Sequence, residues 1–135
     1  MATVEDLKAQ VGKQGGTSKY LIDKSMVRLY CDAIGDQNPK WKDVAPPGMM
    51  TCAMFVGEGV HMDWPYKVIV DAGADWEFLK PFKPGDTLTV VNTLANVEDK
   101  SSEKARRLLI SFKSTITNQR GEVVAVSVGR CMNSG

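Results

Sequence analysis

Apolar residues fall at Val4, Leu7 and Val11, the spacing of one helical face, and predict a short helix over residues 3–11. Gly12, Gly15 and Gly16 are then read as breakers. Tyr20 and Ile22 share one face of a predicted strand over 18–22. Asp23 can cap a following helix, whose apolar positions Met26, Val27, Tyr30, Cys31 and Ile34 recur at spacings of three and four. Gly35 stands where that helix can stop in a left-handed turn. A polar loop follows, and Asn38-Pro39 and Pro46-Pro47-Gly48 argue against regular structure in it. From Gly48 to about Val60 the chain is apolar without polar alternation, which predicts a helix wrapped on nearly all sides.

The second half changes period. Residues 72–79, 87–97, 107–117 and 123–131 are rich in β-branched residues and alternate apolar with polar, so they predict strands. Pro84-Gly85-Asp86 is read as a turn, and Asn118-Gln119-Arg120-Gly121 as a hairpin turn whose glycine takes φ > 0. Residues 98–106 are read as a charged bulge between long strands. A buried helix followed by long antiparallel strands predicts an α+β domain, a curved sheet wrapped around a central helix. Residues 1–135 read as one such domain, with the 3–11 helix as an appendage.

Composition narrows the function classes. The chain has 135 residues, 43% of them hydrophobic and 24% charged, with a formal net charge of +1. That is enough chain for one real core. The balanced charge supplies no strong field to attract nucleic acid or a membrane surface. No apolar stretch is long enough to span a bilayer, and the first residues lack the pattern of a signal peptide, so a cytoplasmic location is expected. Cys31, Cys52 and Cys131 have neither metal-ligand nor redox spacing, and with His61 as the one histidine a metal site is not expected.

Four segments resemble one family. Tyr30-Cys31-Asp32-Ala33-Ile34-Gly35-Asp36-Gln37-Asn38-Pro39 is similar to the hydratase motif of MaoC-like, R-specific enoyl-CoA hydratases, in which Gly-Asp-x-Asn-Pro-x-His follows a helix. Pro47-Gly48-Met49-Met50-Thr51 resembles the start of that family's central hotdog helix. Residues 76–88, with Phe78, Pro81 and Pro84-Gly85-Asp86, resemble its entry into the long strands, and residues 117–125 its last hairpin. Together they run in order from about Tyr20 to Cys131. Asn38 to Asp43 and Ala45 to Pro47 are closest to the FAS1-like dehydratase N-terminal branch, whose members often serve as the partner that does no chemistry.

The resemblance implies a hotdog fold and the addition or removal of water on an acyl-CoA thioester, with no other cofactor. In that reaction an Asp–His pair handles the water and its proton, and a helix-start N–H stabilises the enolate. Mapped onto this chain, the aspartate is Asp36, the motif asparagine Asn38 and the helix-start glycine Gly48, followed by Met49 against substrate. The histidine position is Trp41. An indole N–H only donates and cannot serve as a base. Pro47 replaces the histidine that often precedes the glycine, and the connection from Trp41 to Gly48 is short for the family.

Each residue also has a plain reading. Asp36 and Asn38 suit a turn, Trp41 can plug the space of the missing histidine, and Gly48 can be a close-packing position. His61 suits a surface or an interface better than a rearranged site. Lys104, Arg106 and Arg107 suit a solvated strand edge better than a contact with CoA phosphates. Three functions stay open. The first is a non-catalytic subunit of a heteromeric hydratase or dehydratase, whose hotdog partner (in a hetero-dimer or hetero-tetramer) supplies Asp and His. The second is a self-sufficient hydratase or acyl-CoA thioesterase, such as a homodimer, using Asp36 or Glu58. The third is an acyl-chain or small-molecule binding module without chemistry.

Overall fold

The computed structural model describes residues 2–55 and 58–135. Helix α1 (Val4–Lys8) opens on a capping box, Thr3 and Asp6 each bonding the other's backbone N–H. It stops three residues before the predicted end. It is no loose appendage: Leu7 is fully buried against Leu94, Leu108 and Ile110.

Strand β1 (Gln14–Leu21) runs through the two glycines read as breakers. Their role is steric. A Cβ on Gly15 would stand 2.6 Å from the Gly59 carbonyl oxygen, and one on Gly16 would collide with the Glu58 carboxylate. Segment 58–59 therefore crosses β1 where no side chain intervenes. Helix α2 (Lys24–Ile34) forms as predicted. The Asp23 carboxylate accepts the Ser25 N–H at 2.7 Å, and Gly35 closes the helix at φ 72°.

The loop beyond α2 holds more order than its prolines predict. Pro39–Lys42 makes a 3₁₀ turn in which the Asn38 side chain accepts the Lys40 N–H, and Pro47–Met49 makes another. Proline suits the first positions of such turns, whose N–H groups have no internal acceptor. The second turn leads into helix α3 (Met50–Phe55). This helix is shorter than the predicted run to Val60. Val56 and Gly57 lie outside the described residues, and residues 58–64 are irregular. Nor is α3 wrapped all round, since Met50 and Ala53 are buried while Thr51 is exposed.

Strands β2 (Val68–Phe78), β3 (Thr87–Asp99), β4 (Arg107–Thr117) and β5 (Val123–Ser134) complete one antiparallel sheet in the order β1-β3-β4-β5-β2. Glu98 and Asp99, expected in a charged bulge, extend β3 by pairing with Leu109 and Leu108. Gly85 and Gly121 take φ of 97° and 75° in their turns. Two clusters form the core. One packs Met49, Met50 and Ala53 with Val27 and Cys31 of α2 against Leu88, Val90, Ile116 and Val124 of the sheet. The other surrounds Leu7 and Leu94. A short central helix on a five-stranded antiparallel sheet is the hotdog arrangement.

Strand β2 lies at the sheet edge and is exposed along nearly its whole length. A bulge interrupts its pairing with β5 between Asp71 and Ala74. Gly73 sits in it at φ 89°, and its N–H donates to the Asp71 carboxylate at 2.8 Å. Among the described residues no helix is long and apolar enough to cross a membrane.

Candidate functional site

The C-terminal stop of α2 and the first 3₁₀ turn fold back on the helix and enclose a cleft of about 510 Å³. Asp36, Asn38 and Trp41 all line it, so the structure unites the three residues taken from the hydratase motif. Gly35 makes this arrangement: its left-handed turn reverses the chain, and the next N–H, that of Asp36, bonds back to the Cys31 carbonyl at 3.0 Å. The Asp36 carboxylate then accepts the Asn38 N–H at 3.0 Å, and the Asn38 side chain accepts that of Lys40 at 3.1 Å. Asp36 and Asn38 are thus turn formers and cleft residues at once.

The Trp41 indole N–H beside Asp36, with the Asn38 N–H and the Lys40 charge, holds the carboxyl below the usual carboxylate range. The indole nitrogen is buried and meets no acceptor at full hydrogen-bond geometry, so its influence on Asp36 is a close approach rather than a formed bond. Trp41 packs against the first core cluster, and the Lys40 ammonium lies 4.3 Å from its ring centroid. Where the resemblance would place a base there is a buried donor and an aromatic wall. Cys31 also faces the cleft, but burial and the Asp36 and Asp32 carboxylates push its thiol up, so it stays protonated and a poor nucleophile.

Gly48 and Met49 stand apart from this cleft. The Met49 side chain is 1% exposed and fills the core. Gly48 is crossed by Tyr30, whose hydroxyl would lie 2.1 Å from an added Cβ. Its glycine identity thus serves a close approach. Glu58 and His61 line neither of the two clefts. Glu58 lies over β1, its carbonyl accepting the Asn92 amide, while the carbonyl of exposed His61 accepts the Lys13 ammonium at 2.6 Å. Lys104, Arg106 and Arg107 are exposed at the β3–β4 end of the sheet. The cations at the first cleft are instead Lys24, Arg28 and Lys42, none ion-paired among the described residues. Lys24 and Arg28 are spaced i, i+4 on α2, a signal present in the sequence but left unread.

A second cleft, of about 540 Å³, opens beside the β2 edge. Trp64, Trp76 and Phe112 wall it, Asp71, Gly73 and Ala74 of the edge strand border it, and Thr51 reaches it from α3. Its lining is mainly apolar, with one polar pair: the Ser114 hydroxyl donates to the Asn92 side chain at 2.6 Å, and Asn92 donates to the Glu58 carbonyl. Sequence patterning missed this cleft because its walls come from separate strands. Among the described residues, no group of three or more His, Cys, Asp or Glu side chains is placed to hold a metal ion.

Comparison with known proteins identifies the family and the fold. The family model of the FAS1-like dehydratase domain region matches residues 9–127. A UPF0336 protein of Streptomyces avermitilis is 21% identical, with 83% of each chain covered. Three solved structures share the fold. A chain of the ChsH1–ChsH2 complex of Mycobacterium tuberculosis superposes with a TM-score of 0.76 at 19% identity, covering 96% of this chain and 88% of the other. The MaoC-like dehydratase of Rhodospirillum rubrum gives 0.67 at 20% identity and 91% coverage of both. The HadBC complex of M. tuberculosis, a 3R-hydroxyacyl-ACP dehydratase, gives 0.72 at 18%, covering 92% and 97%. With its hotdog fold shared by these structures and a family match across most of its length, the chain belongs to the family of the FAS1-like dehydratase domain region.

Proposed function

We propose that this chain is a non-catalytic subunit of a heteromeric hotdog hydratase or dehydratase acting on an acyl thioester such as an acyl-CoA. The observation that carries the reading is Trp41. Its indole lies beside the Asp36 carboxylate where the resemblance places the histidine, and it can donate but not accept a proton. Asp36 alone is a poor substitute: the surroundings that keep it ionised also make it a weaker base. In this reading a partner supplies both Asp and His, while this chain contributes structure and part of the binding surface. Two further observations support it. The β2 edge is unpaired along an 11-residue strand, and Asp71, Gly73, Ala74 and Trp76 of that strand line the second cleft, within reach of a neighbouring chain on the edge. The structural neighbours named ChsH1–ChsH2 and HadBC are themselves two-component complexes.

The test is hydration of a trans-2-enoyl-CoA by the purified chain alone, beside Asp36→Ala. The expected result is no turnover by either folded protein. Turnover that disappears in Asp36→Ala would sink the proposal in favour of a self-sufficient enzyme. Release of free CoA from a saturated acyl-CoA, run on the same samples, would do so in favour of a thioesterase.

A further inference from the structure

The inner face of the sheet carries a polar row with apolar rows on both sides of it. Asn92 of β3 pairs with Ser114 of β4, Ser114 with Ser127 of β5, and Ser127 with Trp76 of β2, so the four side chains share one face. The row on one side is Val90, Ile116 and Ala125, all buried in the first core cluster. The row on the other side holds Leu94 and Phe112 of the second cluster. Ser114 and Ser127 are 1% and 0% exposed. A hydroxyl buried so deeply is destabilising unless it meets a partner. Ser114 has one in Asn92, whereas the Ser127 hydroxyl has none among the described residues. Ser127 nevertheless stands in the row between Ser114 and Trp76, and both of those line the second cleft.

The row has a definite hydrogen-bonding character. The Ser114 hydroxyl gives its proton to Asn92, which leaves the Ser114 oxygen as an acceptor. The Ser127 hydroxyl is free to donate. Neighbouring strands lie about 4.8 Å apart, and an O–H···O bond is about 2.7–2.8 Å long. An oxygen over the gap between the two serines is therefore within bonding length of both. A carbonyl or ether oxygen there only accepts and leaves Ser114 unmet. A charged head of either sign would lose its hydration between two apolar clusters, with no opposite charge in the row to replace it. A hydroxyl donates to Ser114 and accepts from Ser127. Around the row, Trp64, Trp76 and Phe112 wall a cleft of about 540 Å³, within the size range of small-molecule sites.

We propose that the second cleft binds a neutral, largely apolar alcohol whose hydroxyl bridges Ser114 and Ser127. The aromatic walls hold the body of the ligand, and the serine row selects the group at its inner end. This is not the hydroxyl that a dehydratase removes, which belongs beside Asp36, and no residue lines both clefts. The site also stands whether or not Trp41 has cost the chain its base.

The test uses the full chain and the emission of its tryptophans, two of which line the cleft. The probes are menthol and decyl alcohol, each beside its own methyl ether, with decanoate as the charged control. Both alcohols are expected to bind at least about tenfold more tightly than their ethers and than decanoate. Ser127→Ala removes a hydroxyl that has no partner, so it should fold with an undiminished urea midpoint and lose the preference for alcohol over ether. Ser114→Ala should lose it too. The ratio of alcohol to ether affinity is the readout, because a mere change of packing alters both alike. Three results would overturn the proposal: no binding of either alcohol, ethers binding as tightly as alcohols, or a preference that survives in Ser127→Ala. None of them bears on Trp41, which the hydration assay reads separately.

Discussion

The phenolic oxygen of Tyr30 passes over Gly48 so closely that a Cβ at that glycine would stand 2.1 Å from it. The contact ties the last turns of α2 to the entry of α3. Because the obstructing atom is the far end of a side chain, Gly48→Ala is expected to displace Tyr30 rather than unfold the protein, at a cost of about 1–2 kcal/mol. Tyr30→Phe removes the hydroxyl, so the same alanine should cost less in that background. A double-mutant cycle in urea checks this, and equal costs in both backgrounds would mean that the crossing does not matter.

The approach of Trp41 to Asp36 is expected to be visible in a titration. Trp41→Phe keeps an aromatic wall and removes the indole N–H, so the Asp36 pKa should rise toward the ordinary carboxylate value. The carboxyl carbon followed by NMR against pH reports it. Since the folded-state pKa is depressed, whatever stability Asp36 contributes is present above the unfolded pKa. It is lost as pH falls through the folded one, and the substitution should shift that loss to higher pH.

Glu122 gives a second acid-sensitive point. Lys80, Asn118 and Arg120 converge on its carboxylate and lower it to about 2. The stabilisation is therefore complete above about pH 4.5 and disappears as the pH falls toward about 2. Glu122→Gln should be less stable than the unaltered chain at pH 6, with the gap in urea midpoints closing on acidification. A gap that stays constant down to pH 2 would show that the cluster contributes nothing through charge.

Asn133 is fully buried on β5 and serves three backbone groups, accepting the Tyr66 N–H and donating to the Tyr66 and Val68 carbonyls. It fixes the start of β2. Asn133→Ala strands those groups, and a loss of about 2–4 kcal/mol is expected. Faster amide exchange confined to the segment around Tyr66 and Val68 would locate the effect, whereas uniform exchange would argue against a local tether.

What the sequence made legible was what depends on near neighbours. Asp23 and Gly35 bound α2, and Gly85 and Gly121 mark turns, because caps and positive φ are local demands. Gly15 and Gly16 were misread because what requires them lies at residues 58–59, more than 40 positions along the chain. The apolar run after Gly48 predicted a longer helix, because in a buried segment periodicity does not mark where helix gives way to irregular chain. The motif residues Asp36, Asn38 and Trp41 were found together because one short loop carries them. The second cleft was invisible, since Trp64, Trp76 and Phe112 meet only once the strands are in register.

The bulged edge strand has a thermodynamic consequence. Asp71, Gly73, Ala74 and Trp76 both border the second cleft and form the seam that a neighbouring chain would occupy. A guest in that cleft that touches both chains therefore makes occupancy and assembly reciprocal: the factor by which it tightens the complex equals the factor by which the complex tightens its hold on the guest. If the chain is the non-catalytic subunit proposed above, it would in this way still govern turnover, because it would set the concentration of guest at which the working assembly exists.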